Sequence, residues 1–121
     1  MKKSVFIGII TILVLSGIAL TGCNSESNPQ DATISQAKGL RDGTYVRITG
    51  EIYQIFTERS FRFKDSTGDI TVEIDTELWG RAGRKPPVEA DLPLNIEIVG
   101  EVDKEKGADT IIEAEFIKIL N

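Results

Sequence analysis

The chain has no histidine, and Cys23 is its only cysteine. Without histidine there is no Ser-His-Asp or Cys-His nucleophilic centre and no His-ligated zinc or haem. A lone cysteine forms no intramolecular disulfide, so the apolar core must hold the domain. Rings are scarce: aromatics are 7% of the chain, with one Trp and two Tyr. Basic residues are the minority, 14 against 19 acidic ones. A nucleic-acid partner calls for the opposite balance. Negative charge fits a cationic or neutral partner, or plain solubility. Carboxylates and lysines remain for catalysis, but no constellation of them points to it. No enzyme activity, cofactor or metal is expected.

The longest apolar run is Val5 to Leu20, diluted by Gly8, Ser16 and Gly17. It falls short of the ~20 apolar residues that a spanning helix needs. Lys2 and Lys3 precede it, and Leu20-Thr21-Gly22-Cys23 follows, after which the chain turns polar. A charged start, a short apolar run and a small-residue cleavage site make a secretory signal. A sole Cys directly after Leu-x-Gly looks like a bacterial lipobox. That implies cleavage before Cys23 and a lipid on its sulfur. The expected organisation is a signal peptide over 1–22, a flexible tether over 23–31 and one domain over 32–121. The domain then sits outside the cytoplasmic membrane, anchored through Cys23. Asn24 in place of an Asp favours the outer membrane. Without Lys2 and Lys3 the chain keeps 12 basic against 19 acidic residues, a net charge of −7.

Within the domain, Thr33-Ile34-Ser35-Gln36 fits a capping box, predicting a short helix through Leu40. Alternating apolar residues then predict five strands. The first is Thr44 to Phe56, with Val46, Ile48 and Ile52 inward and Gly50 at an inward bend. The second carries Phe61 and Phe63, the third Ile70, Val72 and Ile74. A four-residue loop, Ser66 to Asp69, sets Phe63 opposite Val72, Phe61 opposite Ile74 and Arg62 opposite Glu73. Thr76 to Gly80 makes one helical turn, and Arg81 to Asp91 an exposed loop. The fourth strand is Leu92 to Asp103, with Leu94, Ile96 and Ile98 inward and a second bend at Gly100. The fifth is Thr110 to Leu120, with Ile112, Ala114 and Phe116 inward and a change of phase at Ile117-Lys118-Ile119. Five strands, bends in the first and fourth, and a helical element between the third and fourth describe an all-β chain with a small added helix, a five-stranded OB-fold barrel. An SH3-like barrel is the competitor.

Several segments together resemble a known family. They are Ala37-Lys38, Asp42 to Val46, Thr49 to Ile52, Phe63-Lys64-Asp65, Gly68 to Asp75, Trp79 and Val99 to Lys104. In this order they are similar to the bacterial OB-fold (BOF) family, the YgiW/YdeI-like stress-tolerance proteins, from Ala32 to about Leu120. The resemblance implies a small periplasmic, non-enzymatic binding protein linked to envelope stress. It implies a cationic small molecule, a peptide or an envelope glycan as ligand, and not nucleic acid. Members are usually soluble in the periplasm, whereas Cys23 predicts an anchor here. The loop from Gly80 to Asp91, with Arg81, Arg84 and Lys85, is more basic than the family pattern.

The acids within these motifs are Glu73, Asp75, Glu101 and Asp103. They form either a cation-binding patch or a solvated strand face with Glu73 neutralised by Arg62. Trp79 either caps a ligand groove or plugs one end of the barrel with its N–H bonded at the rim. Two functional classes remain. One is an envelope module that binds a cationic peptide or a glycan. The other is an accessory or inhibitory protein that docks on an envelope enzyme or porin.

Overall fold

The computed structural model describes residues 28–104 and 109–121. The expected signal peptide, Cys23 and most of the expected tether lie outside them. The elements run β1 (Gln30–Asp31), α1 (Ile34–Ala37), β2 (Tyr45–Thr57), β3 (Ser60–Asp65), β4 (Gly68–Glu73), α2 (Thr76–Arg81), a 3-10 turn (Glu89–Asp91), β5 (Leu94–Asp103) and β6 (Ile111–Ile119). No helix among the described residues is long and apolar enough to cross a membrane.

The sheet order is β1-β2-β3-β4-β6-β5, and β5 also pairs with β2. The circuit of strand pairings therefore returns to β2, as the expected OB-fold requires. One strand serves both ends of the circuit by dividing its length. Tyr45 to Ile52 of β2 pair with β5, and Glu51 to Thr57 pair with β3. The division falls at Gly50. A Cβ there would lie 2.4 Å from the Lys64 carbonyl oxygen. Gly100 repeats the device, with a Cβ position 2.3 Å from the Glu113 carbonyl oxygen. Both bends expected at glycines are thus sites of close backbone approach.

The core follows the alternation. Val46, Ile48, Ile52, Phe61, Phe63, Ile70, Val72, Ile74, Leu94, Ile96, Ile98 and Ile112 are all buried. The described residues bury no charged side chain. Ile34 and Ala37 bring α1 onto this core through the expected capping box. Gln36 N–H donates to Thr33 Oγ1 at 3.1 Å, and Thr33 N–H donates to Gln36 Oε1 at 2.9 Å. The helix stops at Ala37, earlier than the sequence indicates.

Three expectations are corrected. The β3–β4 hairpin is slipped by two residues: Phe61 faces Val72, Phe63 faces Ile70 and Arg62 faces Thr71. The turn uses only Ser66 and Thr67, because Asp65 and Gly68 still pair. The Asp65 carboxylate closes it, accepting from Thr67 N–H at 2.7 Å, Thr67 Oγ1 at 2.6 Å and Gly68 N–H at 3.2 Å. A slip of two leaves every side chain on its expected face. Secondly, Phe116 points out, 63% exposed. The β5–β6 register shifts where Val99 faces Phe116 and Gly100 faces Ala114. The extra residue reverses the phase, so Ile117 and Ile119 reach the core instead. Phe56 is likewise 50% exposed. Thirdly, Gln30 and Asp31 of the expected tether pair in parallel with Val46 and Arg47. An Asp31–Arg47 bridge at 2.9 Å and an Ala32 N–H to Arg47 carbonyl bond at 3.1 Å secure them.

Asp65 also ties the hairpin to α1, since Oδ2 accepts from Ile34 N–H at 3.0 Å. Burial pushes its carboxyl up, but the bonds from Thr67, Ile34 and Gly68 outweigh that and hold it below the ordinary range. A carboxyl lowered in the folded state adds stability that is complete above its unfolded pKa, about 4, and lost as pH falls through the folded value. The melting temperature should therefore fall as the pH drops below about 4. Asp65→Asn should shrink that fall and cost about 1–2 kcal/mol at neutral pH, measured by urea melts.

Candidate functional site

The sheet face of β3 and β4 is where OB-folds commonly receive extended ligands. Here it is occupied by its own polar network. Tyr53 O–H donates to Asp69 Oδ2 at 2.6 Å, and Arg62 Nε–H donates to the same oxygen at 3.2 Å. Arg62 also donates to Thr71 Oγ1 at 2.9 Å. The Tyr53 bond, with Arg62 beside it, holds the Asp69 carboxyl below the ordinary range, and the same bond raises the Tyr53 hydroxyl. The Lys64 ammonium sits 4.9 Å from the centre of the Tyr53 ring. The Tyr53 ring is thus already covered by a cation. Arg62, expected to neutralise Glu73, is committed to Asp69 instead, a direct result of the slipped register.

That leaves Glu73 differently placed. It pairs with Glu113 across β4 and β6, and Glu113 pairs with Glu101 across β6 and β5. Three glutamates therefore stand side by side on three neighbouring strands. Adjacent strands lie about 4.8 Å apart, so the three backbone positions follow one another at roughly that interval. Like charges directly opposite one another destabilise a sheet. Beside the row is a hollow of about 230 Å³ lined by Arg59, Glu73, Asp75, Glu113, Ala114 and Glu115. Four carboxylates share it with one guanidinium. Arg59 is held by Asp75 at 2.8 Å, with both side chains well exposed. No group of three acids among the described residues converges closely enough to hold a metal ion.

The residues singled out from sequence thus separate. Glu73 and Glu101 belong to one row, and Asp75 joins Glu73 at the hollow. Asp103 lies further along β5, opposite Ile111, outside the hollow lining. Trp79 is no part of a ligand surface. It is fully buried, its ring centre 5.7 Å from that of Phe61 at 71°. It does plug the core, but its Nε1 has no hydrogen-bond partner, contrary to the rim bond expected. The apolar packing of the whole ring outweighs one unpaired N–H. Glu113 and Glu115 were missed. Alternation along β6 was the available signal, for it puts Glu113 on the outward side of Ile112.

The pattern described as "Bacterial OB fold (BOF) protein" matches residues 17–119. Protein YgiW of Escherichia coli K12 is 36% identical over 78 residues, which are 64% of this chain and 55% of YgiW. The chain thus spans about half the length of that relative. The calcium-regulated OB-fold protein CarO of Pseudomonas aeruginosa is 29% identical over 94 residues, 78% of this chain and 75% of CarO. The solved structure of E. coli ygiW superposes with a TM-score of 0.62 at 32% identity, covering 75% of this chain and 90% of that one.

Proposed function

The chain belongs to the bacterial OB-fold (BOF) family, and on that premise we propose a non-enzymatic envelope protein that binds an extended cationic ligand. The binding surface is the Glu101–Glu113–Glu73 row with its adjoining hollow. The observation that carries this reading is the juxtaposition of three like charges across three strands. Such a concentration of carboxylates favours the approach of a cation. Carboxylates spaced along a row suit a polyamine or a basic peptide better than a single ion. The family link to envelope stress and the anchor at Cys23 belong to the same proposal.

The full chain in nonionic detergent should bind spermine or oligolysine, with affinity falling as salt rises. Glu73→Gln with Glu113→Gln should weaken binding by about tenfold, near 1.4 kcal/mol. Binding indifferent to both salt and these replacements overturns the site. Tight single-stranded DNA binding at physiological salt overturns the ligand class. In cells, Cys23→Ser should abolish incorporation of a labelled acyl chain; a wild-type chain that takes up no label refutes the anchor. The exposed Phe116 favours a second reading, docking on an envelope enzyme or porin. Capture of a membrane protein that Phe116→Ser abolishes would support it.

A further inference from the structure

We propose that Lys85-Pro86-Pro87-Val88, between α2 and β5, is a recognition loop. It is a rigid extended segment that seats in a groove of Trp and Tyr rings, rimmed by a carboxylate, on a partner protein. The inference uses no residue of the acidic row and goes beyond the cationic-ligand reading.

The segment is extended for covalent reasons. A proline ring fixes its own φ near about −65°, and a residue before proline is kept out of the helical region. Lys85 precedes Pro86, and Pro86 precedes Pro87. Val88 is extended, at φ −116° and ψ 171°. Neither helix nor strand covers residues 85–88.

The segment is also held. Arg84 N–H donates to the Trp79 carbonyl at 3.0 Å, which fixes its start to α2. The Arg84 side chain donates to the Lys85 carbonyl at 2.9 Å and to Asp91 Oδ2 at 2.8 Å. The same carboxylate oxygen accepts from Val88 N–H at 2.9 Å. One guanidinium–carboxylate pair thus clasps both ends, and the buried Pro87 pins the middle.

The clasp holds unused groups outward. Lys85 and Pro86 are exposed, and Val88 is 60% exposed. Among the described residues, no backbone hydrogen bond reaches the Pro86 or Pro87 carbonyl. Arg81 pairs with Glu77 at 3.5 Å and Arg84 with Asp91, whereas Lys85 enters no ion pair among the described residues.

The partner follows from these groups. Grooves that read proline-rich extended segments are lined by aromatic rings. Flat rings seat Pro86 and Val88, and a Trp N–H or Tyr O–H donates to a proline carbonyl. A carboxylate at the rim meets Lys85. Order before binding keeps the entropic cost of docking low. Position favours a protein over the membrane. The chain from the proposed anchor joins β2 at Val46, whereas the loop runs into β5 at Leu94, opposite Ile52. Six residues of β2 separate these points by about 20 Å. The loop therefore enters the sheet from the end opposite the tether.

The test begins in the living bacterium, with a benzophenone amino acid in place of Val88 in the full chain, and of Phe56 as control. Illumination should give a protein adduct from position 88 and none from position 56. Mass spectrometry should place the cross-link among Trp or Tyr residues of the partner. Purified, that partner should bind the full chain in nonionic detergent. Pro86→Ala and Val88→Ser, both at exposed positions, should each weaken binding at least about fivefold. Asp91→Asn, which opens the clasp, should weaken it while a melt shows the domain still folded. Phe116→Ser, and Glu73→Gln with Glu113→Gln, should leave this affinity unchanged. No adduct from position 88, a cross-link remote from any ring, or affinity indifferent to Pro86→Ala and Val88→Ser overturns the proposal. A lipid adduct assigns the loop to the membrane, and an adduct of twice the chain's mass assigns it to a second copy; either overturns it as well.

Discussion

Replacing Phe63 by Ala should destabilise the domain by about 3–5 kcal/mol. The ring is fully buried, between Ile52 of β2 and Ile70 of β4, its partners in the two flanking ladders. Its Cζ lies 3.0 Å from where a Cβ on Gly50 would stand. The Phe ring thus fills the space that the glycine leaves at the point where β2 changes partners. Truncation opens a cavity walled by paired backbone, which cannot collapse without breaking ladder hydrogen bonds. Urea melts of the wild type and the variant measure the loss. Phe116→Ala is the control: with 63% of the residue exposed, it should change stability by less than about 0.5 kcal/mol. A loss under about 1 kcal/mol for Phe63 would place the ring at the surface and overturn the inward face of the hairpin.

The second large effect comes from adding a single methyl group. Gly100→Ala sets a Cβ 2.3 Å from the Glu113 carbonyl oxygen, 2.9 Å from its carbon and 3.0 Å from the Ala114 Cα. All three are backbone atoms, so no side-chain rotation relieves the clash. The loss should lie at or above the upper end of the usual overpacking range, about 1–3 kcal/mol. Gly50→Ala should behave alike, since it meets the Lys64 carbonyl oxygen at 2.4 Å. Gly80→Ala supplies the contrast. Nothing lies within 4 Å of its Cβ position, and it sits within α2, where Ala is the better helix former. That variant should be neutral or slightly more stable. Calorimetry of the three separates clash from mere loss of glycine: a Gly100→Ala melt matching wild type would refute the close approach. The same change should also weaken cationic binding, because the displaced backbone is that of Glu113.

The inward faces were legible because alternation is a local signal, and a register slip of two leaves it intact. The register itself was not. Ser66, Thr67, Gly68 and Asp69 all have loop character, and composition does not tell a two-residue turn from a four-residue one. What decides is the Asp65 carboxylate, which gathers three donors and lets Gly68 rejoin the ladder. Phe116 was misplaced because a bulge inserts one residue with no mark in composition; only the apolar phase at Ile117 and Ile119 hinted at it. β1 is too short for any periodicity to show. For the site, each glutamate's outward position follows from its own strand. Their assembly does not, because Glu73 and Glu113 are joined by a parallel pairing of strands far apart in sequence. Trp79 was ambiguous for a different reason: a lone ring beside a short helix reads alike as lid or plug, and only burial separates the two.

The two-residue strand β1 has a mechanical consequence. It fastens the chain to β2 at Gln30, so that the anchor proposed at Cys23 would stand seven peptide steps from the fold. Fully stretched, these span at most about 25 Å. A domain of this size has a radius of gyration of about 13 Å. On the proposed anchoring, the gap between lipid and domain would then stay below about one domain diameter, and partners would be met by lateral diffusion. Inserting residues between Cys23 and Gln30, rather than altering any side chain, would be the way to let it reach deeper targets.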